Sequence, residues 1–152
     1  MTIVHKPPGS HKFRGALVAC LVGLSLGAGG SAAFAGTALS AYGFYTVVGR
    51  EYQNVAVIVT SSGRANARTS TQWSNGAQPV GWAGSRGRLF TSGGALSCEG
   101  STIYNSSASL PAYSSSCTRT TSGSWYSLGV SYGWNGSGYS PFFTYRSPNQ
   151  NS

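Results

Sequence analysis

Glu51 and Glu99 are the only side-chain carboxylates in the chain, and they limit the acid–base chemistry it can perform. Two carboxyl groups ~5–9.5 Å apart across a glycosidic bond are the usual minimum for sugar hydrolysis. Nothing in the spacing of these two brings them together. Glu99 adjoins Cys98 at an expected strand end and Glu51 follows Arg50 in an expected turn, so each reads as a solvated or arginine-paired charge. Both histidines (His5, His11) and both lysines (Lys6, Lys12) lie within the first 35 residues, and residues 36–152 contain no His, Lys or Asp. A nucleophilic serine needs a neighbouring base, and a zinc site needs imidazoles or several thiolates. Glycines recur in Gly81-Trp82-Ala83-Gly84-Ser85-Arg86-Gly87, but no lysine and no helical pattern follow, as a phosphate-cradling loop would require. The expectation is a protein without catalytic residues, metal or other cofactor.

Arginines and aromatic rings stand above background. Residues 36–152 hold seven arginines against two glutamates, a net charge near +5, together with four Trp, nine Tyr and four Phe. Rings combine an apolar face with a polar edge or tip and can lie against sugar faces. Trp73, Trp82 and Trp125 are the tryptophans expected at the surface. Arg64, Arg68, Arg86 and Arg88 would form one basic face if their two strands paired. Positive charge favours anionic envelope polymers or acidic glycans through a field that salt screens. The absence of lysine from residues 36–152, and export, argue against nucleic acid. A rival use is antagonism, as a bacteriocin-like protein or a protease inhibitor presenting Ser109-Leu110-Pro111-Ala112-Tyr113.

The first 35 residues have the form of a secretion signal. A basic start with Lys6, Lys12 and Arg14 leads into an apolar run from Ala16 to Leu26, and Ala33-Phe34-Ala35 supplies an A-x-A cleavage pattern between Ala35 and Gly36. Leu17-Val18-Ala19-Cys20 fits a lipidation motif, but Arg14 lies so close that the apolar run follows the cysteine instead of preceding it. As an uncleaved anchor the segment is diluted by Gly23, Gly27, Gly29 and Gly30, where ~20 predominantly apolar residues are needed. The expected exported form has no membrane-spanning segment. In an oxidising exterior Cys98 and Cys117 are expected to pair, closing a loop worth ~3 kcal/mol in the chain-entropy view.

The elements that must position these side chains are strands. Short runs rich in Val, Thr, Tyr, Phe and Trp alternate with Gly, Asn and Ser, and no helical period is sustained. In 54–60, Val55, Val57 and Val59 share one face, with Ile58 on the other. In 64–73, Ala65, Ala67, Thr69, Thr71 and Trp73 oppose a polar row of Arg64, Asn66, Arg68, Ser70 and Gln72. From Trp125 to Trp134 one continuous strand is expected, with Tyr126, Leu128, Val130, Tyr132 and Trp134 opposite Ser127, Gly129, Ser131 and Gly133. Ser92-Gly93-Gly94 and Asn135-Gly136-Ser137-Gly138 mark hairpin turns. Residues 36–146 therefore suggest a single all-β domain, an antiparallel sandwich or small barrel whose Gly/Ser/Thr faces turn outward, with 147–152 as a flexible tail.

The segment Gly87-Arg88-Leu89-Phe90-Thr91-Ser92-Gly93-Gly94-Ala95-Leu96-Ser97-Cys98 resembles the middle of small exported proteins encoded in actinobacterial genomes. Ile103-Tyr104-Asn105, Trp134-Asn135-Gly136-Ser137-Gly138-Tyr139 and Arg146-Ser147-Pro148 are similar to other parts of those proteins. They have no assigned activity. The resemblance implies export, one disulfide and an all-β fold, and transfers no functional residue.

Overall fold

A computed structural model describes residues 36–152, which form fourteen β-strands and no helix. The expected leader, with Ala35 of its cleavage site, lies outside the described residues. In chain order the strands are β1 (Gly36–Leu39), β2 (Gly43–Val47), β3 (Arg50–Ser61), β4 (Arg64–Trp73), β5 (Ala83–Arg86), β6 (Arg88–Thr91) and β7 (Leu96–Glu99). They continue as β8 (Ile103–Tyr104), β9 (Ala112–Tyr113), β10 (Cys117–Arg119), β11 (Ser124–Ser127), β12 (Val130–Trp134), β13 (Tyr139–Phe143) and β14 (Gln150–Asn151). Every strand pair is antiparallel, as the sequence pattern suggests.

The strands build two layers. The first is a six-stranded sheet around the long β3–β4 hairpin, with β1 and β2 along the free edge of β3, and β9 and β10 along β4. The second consists of two four-stranded sheets, β14-β11-β6-β7 and β13-β12-β5-β8. These are halves of one surface. Ser127 stands opposite Leu89 and Val130 opposite Arg86 in the same register, so the 83–91 and 124–134 segments run side by side and are interrupted only around Gly87 and Gly129. The expected continuous strand from 125 to 134 is thus two strands joined by a break.

The break comes from contact with β4. A Cβ built on Gly129 would stand 1.7 Å from Thr69 Oγ1, and one on Gly87 would stand 2.8 Å from the Ala67 carbonyl oxygen. Only glycine lets the second layer lie this close to the first. Backbone amides around the break find side-chain acceptors instead of strand partners: Gly129 N donates to Thr144 Oγ1, Ser127 N to Ser147 Oγ and Thr69 N to Ser114 Oγ. Buried amides need such partners, and the abundant Ser and Thr supply them.

The interior follows from the same constraint. Its fully enclosed side chains include Thr69, Thr71, Ser85, Ser127 and Ser131, with Ala56, Ala65, Ala67 and Ala83 beside them. Ser85 Oγ donates to Thr71 Oγ1 at 2.7 Å, and Asn54 Nδ2 donates to Ser131 Oγ at 2.7 Å. Each such bond contributes ~1 kcal/mol net and avoids the larger penalty of an unpaired buried group. Apolar clusters fill the interior on either side of the break. Ile58, Leu89 and Trp125 form one; Val47, Tyr52 and Ala83 form the other.

Several expectations about sidedness are reversed. The alternation from 126 to 134 holds, but the Ser127, Gly129, Ser131, Gly133 face turns inward, leaving Tyr126, Val130, Tyr132 and Trp134 on the other face. There Tyr132 and Trp134 are half-buried, and Tyr126 and Val130 are covered by neighbouring side chains. In β3 the inward set is Tyr52, Asn54, Ala56, Ile58 and Thr60; of the valine row, Val55 is buried, Val57 half-buried and Val59 exposed. In β4 the expected division is found, with Ala65, Ala67, Thr69 and Thr71 buried and Arg64 and Arg68 exposed. Residues 147–152, expected as a loose tail, are anchored. Gln150 pairs with Trp125, and Ser147 and Ser152 are buried.

Cys98 on β7 and Cys117 on β10 form the expected disulfide, their Cα atoms 5.9 Å apart. It joins the edge of the second layer to the edge of the first. Arg119 reinforces the seam by donating from Nε to Ser97 Oγ at 3.0 Å and from Nη2 to the Ser97 carbonyl.

Two measurements check this packing. Gly129→Ala should cost ~1–3 kcal/mol or more, because the methyl group has nowhere to go. Gly138→Ala, with nothing within 4 Å of the added carbon, should stay within ~0.5 kcal/mol in the same thermal unfolding experiment. Tyr45, stacked on Phe142 with ring centroids 3.9 Å apart, has its phenol pushed well above the ordinary value, chiefly by burial. The unfolded chain ionises this group near pH ~10, whereas the folded chain keeps the proton longer, so unfolding releases a proton above that pH. Stability should therefore fall as pH rises beyond ~10, and Tyr45→Phe should flatten that part of the curve.

Candidate aromatic and arginine binding face

The outer face of the second layer is where register places the large residues. Cross-strand partners share a face, so Trp134 lies beside Tyr139, Tyr132 beside Pro141 and Gly84, Gly84 beside Tyr104, and Val130 beside Phe143 and Arg86. Further along, Phe90 lies beside Tyr126 and Arg88 beside Glu99. The face thus alternates rings with guanidinium groups along both halves of the layer.

Local geometry makes the rings a platform. Gly84 has no side chain because the Tyr104 ring crosses it: a Cβ there would meet Tyr104 Cε1 at 2.7 Å. The ring therefore lies across the strand and reaches Tyr139, with centroids 4.5 Å apart. Tyr139 meets Trp134 edge-on at 5.2 Å and donates its hydroxyl to the Gly81 carbonyl at 2.7 Å. Burial, and then the neighbouring Tyr104, hold the Tyr139 phenol above its usual pKa. Phe143 projects outward, 65% exposed.

The arginines lie across rings. Arg88 sits 4.9 Å from the Phe90 centroid and 5.7 Å from that of Phe143, Arg86 lies 5.8 Å from Tyr132, and Arg146 lies 3.7 Å above Tyr126. These stems and heads cover Phe90 and Tyr126, which are outward-facing yet only 7% exposed. Glu99 bridges two of the cations, with Oε1 3.1 Å from Arg86 Nη1 and Oε2 3.5 Å from Arg88 Nε. Both pairs are partly exposed and contribute ~0–1 kcal/mol each to stability. Their larger effect is to fix the guanidinium positions. Three cations against one carboxylate leave the face positive. A planar guanidinium matches carboxylate or phosphate geometry, and flat rings accept apolar sugar faces.

The other residues singled out from sequence are scattered. Arg64 and Arg68 lie on the outer face of β4, whose partners are β3, β9 and β10, so their strand does not pair with those of Arg86 and Arg88. The expected single basic face is two faces on opposite layers. Trp125 is not at the surface. It is 7% exposed, packs with Ile58 and Leu89, and donates Nε1 to Ser152 Oγ at 3.0 Å. Trp73 and Trp82 are half-buried at one end of the sandwich, edge-to-face at 6.3 Å, with the Arg50 guanidinium 4.4 Å and 5.0 Å from their respective centroids.

Glu51 and Glu99 have different neighbours. Glu51 accepts from Ser74 Oγ, while Glu99 holds the two arginines. Within the 109–113 segment, Ala112 and Tyr113 pair with β4, and Gln78 Nε2 donates to the Leu110 carbonyl.

Sequence reasoning missed Trp134, Tyr139, Tyr104, Tyr132, Phe143 and Arg146 as members of a site. The available signal is the large-residue face of 126–134, which pattern alone turns towards the interior.

Comparison with protein-family models, with curated proteins and with solved structures finds no match for this chain.

The platform has a direct check. Gly84→Ala should push the Tyr104 ring aside and abolish ring-to-ring NOEs between Tyr104 and Tyr139. Unfolding should shift by no more than ~1–2 kcal/mol, since the group displaced is the mobile end of a side chain.

Proposed function

We propose that the protein is exported and acts without catalysis, binding acidic glycan or envelope polymer through the outer face of its second layer. The observation that carries this reading is the placement of Trp134, Tyr139, Tyr104 and Phe143 on one surface with Arg86, Arg88 and Arg146. Rings along the face accept successive sugar rings, and the guanidinium groups receive the carboxylates or phosphates of the same polymer. Export is supported by the pattern of the first 35 residues and by the Cys98–Cys117 disulfide, which suits an oxidising exterior. Repeating contacts along a polymer give retention without a deep pocket, since individually weak engagements sum when they are linked. The sequence resemblance to small exported actinobacterial proteins is compatible with this role and adds no residue to it.

Retention of the purified protein on peptidoglycan carrying its anionic polymer, and on alginate beads, provides the test. Binding should be strong at low salt and fall steeply towards 1 M salt, where the Debye length shrinks to ~3 Å. Trp134→Ala and Arg88→Ala should each weaken it about tenfold, a loss of ~1.4 kcal/mol, with folding unchanged. No retention at low salt, or retention indifferent to both substitutions, would refute the proposal.

A further inference from the structure

The opposite face of the molecule carries a concave feature of different chemistry. Between the end of β1 and the start of β2 the chain leaves the edge of β3, and a cleft of about 240 Å3 opens on the outer face of the first layer. Val55 is among the residues that line it. Two exposed rings, Tyr42 (54%) and Tyr113 (60%), also line it. Tyr113 lies beside Ser70, and Gln53 lies directly across from Gln72 in the β3–β4 register, so two carboxamides meet side by side on the cleft wall. Neither carboxamide and neither phenol hydroxyl bonds to another described residue. No charged side chain lines the cleft.

We infer that this cleft is a second binding site, taking one or two rings of a neutral saccharide. Carboxamides and a serine hydroxyl offer donors and acceptors together, which matches the paired donor–acceptor character of vicinal sugar hydroxyls. Two tyrosine rings supply apolar faces for stacking. Arg68 stands across from Val57 at the border of the cleft and is not among its lining residues; its Nε is turned to Ser116 Oγ at 2.9 Å, so the lining itself offers neutral groups only. The cleft is below the ~300–1,000 Å3 of sites for drug-sized ligands, which fits a short segment of a chain. The site does not depend on the aromatic–arginine face. If both operate, the molecule presents sugar-binding surfaces on opposite sides and can bridge two polymer strands.

The experiment is an NMR titration of the isotope-labelled protein with cellohexaose and, separately, N-acetylchitohexaose. The side-chain amide resonances of Gln53 and Gln72 should shift with at least one of these, insensitively to salt. Tyr113→Ala and Gln72→Ala should each weaken binding about tenfold, the loss of one good contact, while Trp134→Ala leaves it unchanged. Tyr113 is exposed and Gln72 half-buried, and the amide spectrum of each variant reports its folding independently. No shift with either hexasaccharide, or binding that is lost with Trp134→Ala and kept with Tyr113→Ala, would overturn the inference. Retention on anionic polymer uses different ligands and different residues, so either reading can fail while the other stands.

Discussion

The structure depends on the contact of Gly129 and Gly87 with the Thr69 region of β4. Where two sheets face each other, side chains normally set the spacing, with layers ~10 Å apart. Here a backbone lies against a threonine hydroxyl, and no Cβ fits between. A gap this narrow excludes rings and long aliphatic chains from the middle of the molecule. Around this contact the interior is built of Ala, Ser, Thr and Gly, with the larger apolar side chains clustered on either side, and stability draws on hydroxyl hydrogen bonds as well as on apolar burial.

That exclusion has a consequence for the surface. The chain has many aromatic residues, and the interior takes few: Tyr52 and Trp125 are enclosed, while most others are turned outward or lie at the ends. Large residues on an outer face would expose apolar area, a hazard unless it is used or covered. Arginine covers part of it. Arg88 and Arg146 lie over Phe90 and Tyr126, and the remaining rings stay open beside them. The same packing rule that thins the core thus furnishes a flat, positive, ring-bearing surface. The binding proposed for this surface would follow from how the core is packed, with no dedicated loop.

Periodicity was legible in the sequence and sidedness was not. The alternations in 64–73 and 126–134, the turns at 92–94 and 135–138, and the cystine all correspond to observed features. An alternation defines two faces but does not say which one turns inward. The habit of placing large residues inside fails when a glycine contact elsewhere closes the gap, and that contact joins residues 60 positions apart, Thr69 and Gly129. Trp125 was misplaced for the same reason: it shares a face with Ser127 and Gly129, which is the inner one. The short strands β1, β9 and β14 carry too few residues for a period to show, and they exist because a neighbouring edge offers them partners. Of the candidate site, only Arg86 and Arg88 were named in advance. Of the rings beside them, Tyr132 and Trp134 lie on the large-residue face, and pattern alone turns that face inward.

The most direct test of this inside-out arrangement is hydroxyl-radical footprinting of the folded protein with residue-level mass spectrometry. The account requires rapid modification of Phe143, Tyr145 and Tyr113 and strong protection of Trp125 and Tyr52. Protection of the first group with rapid labelling of Trp125 would mean that the layers pack through their other faces, and the binding surface argued from them would not exist.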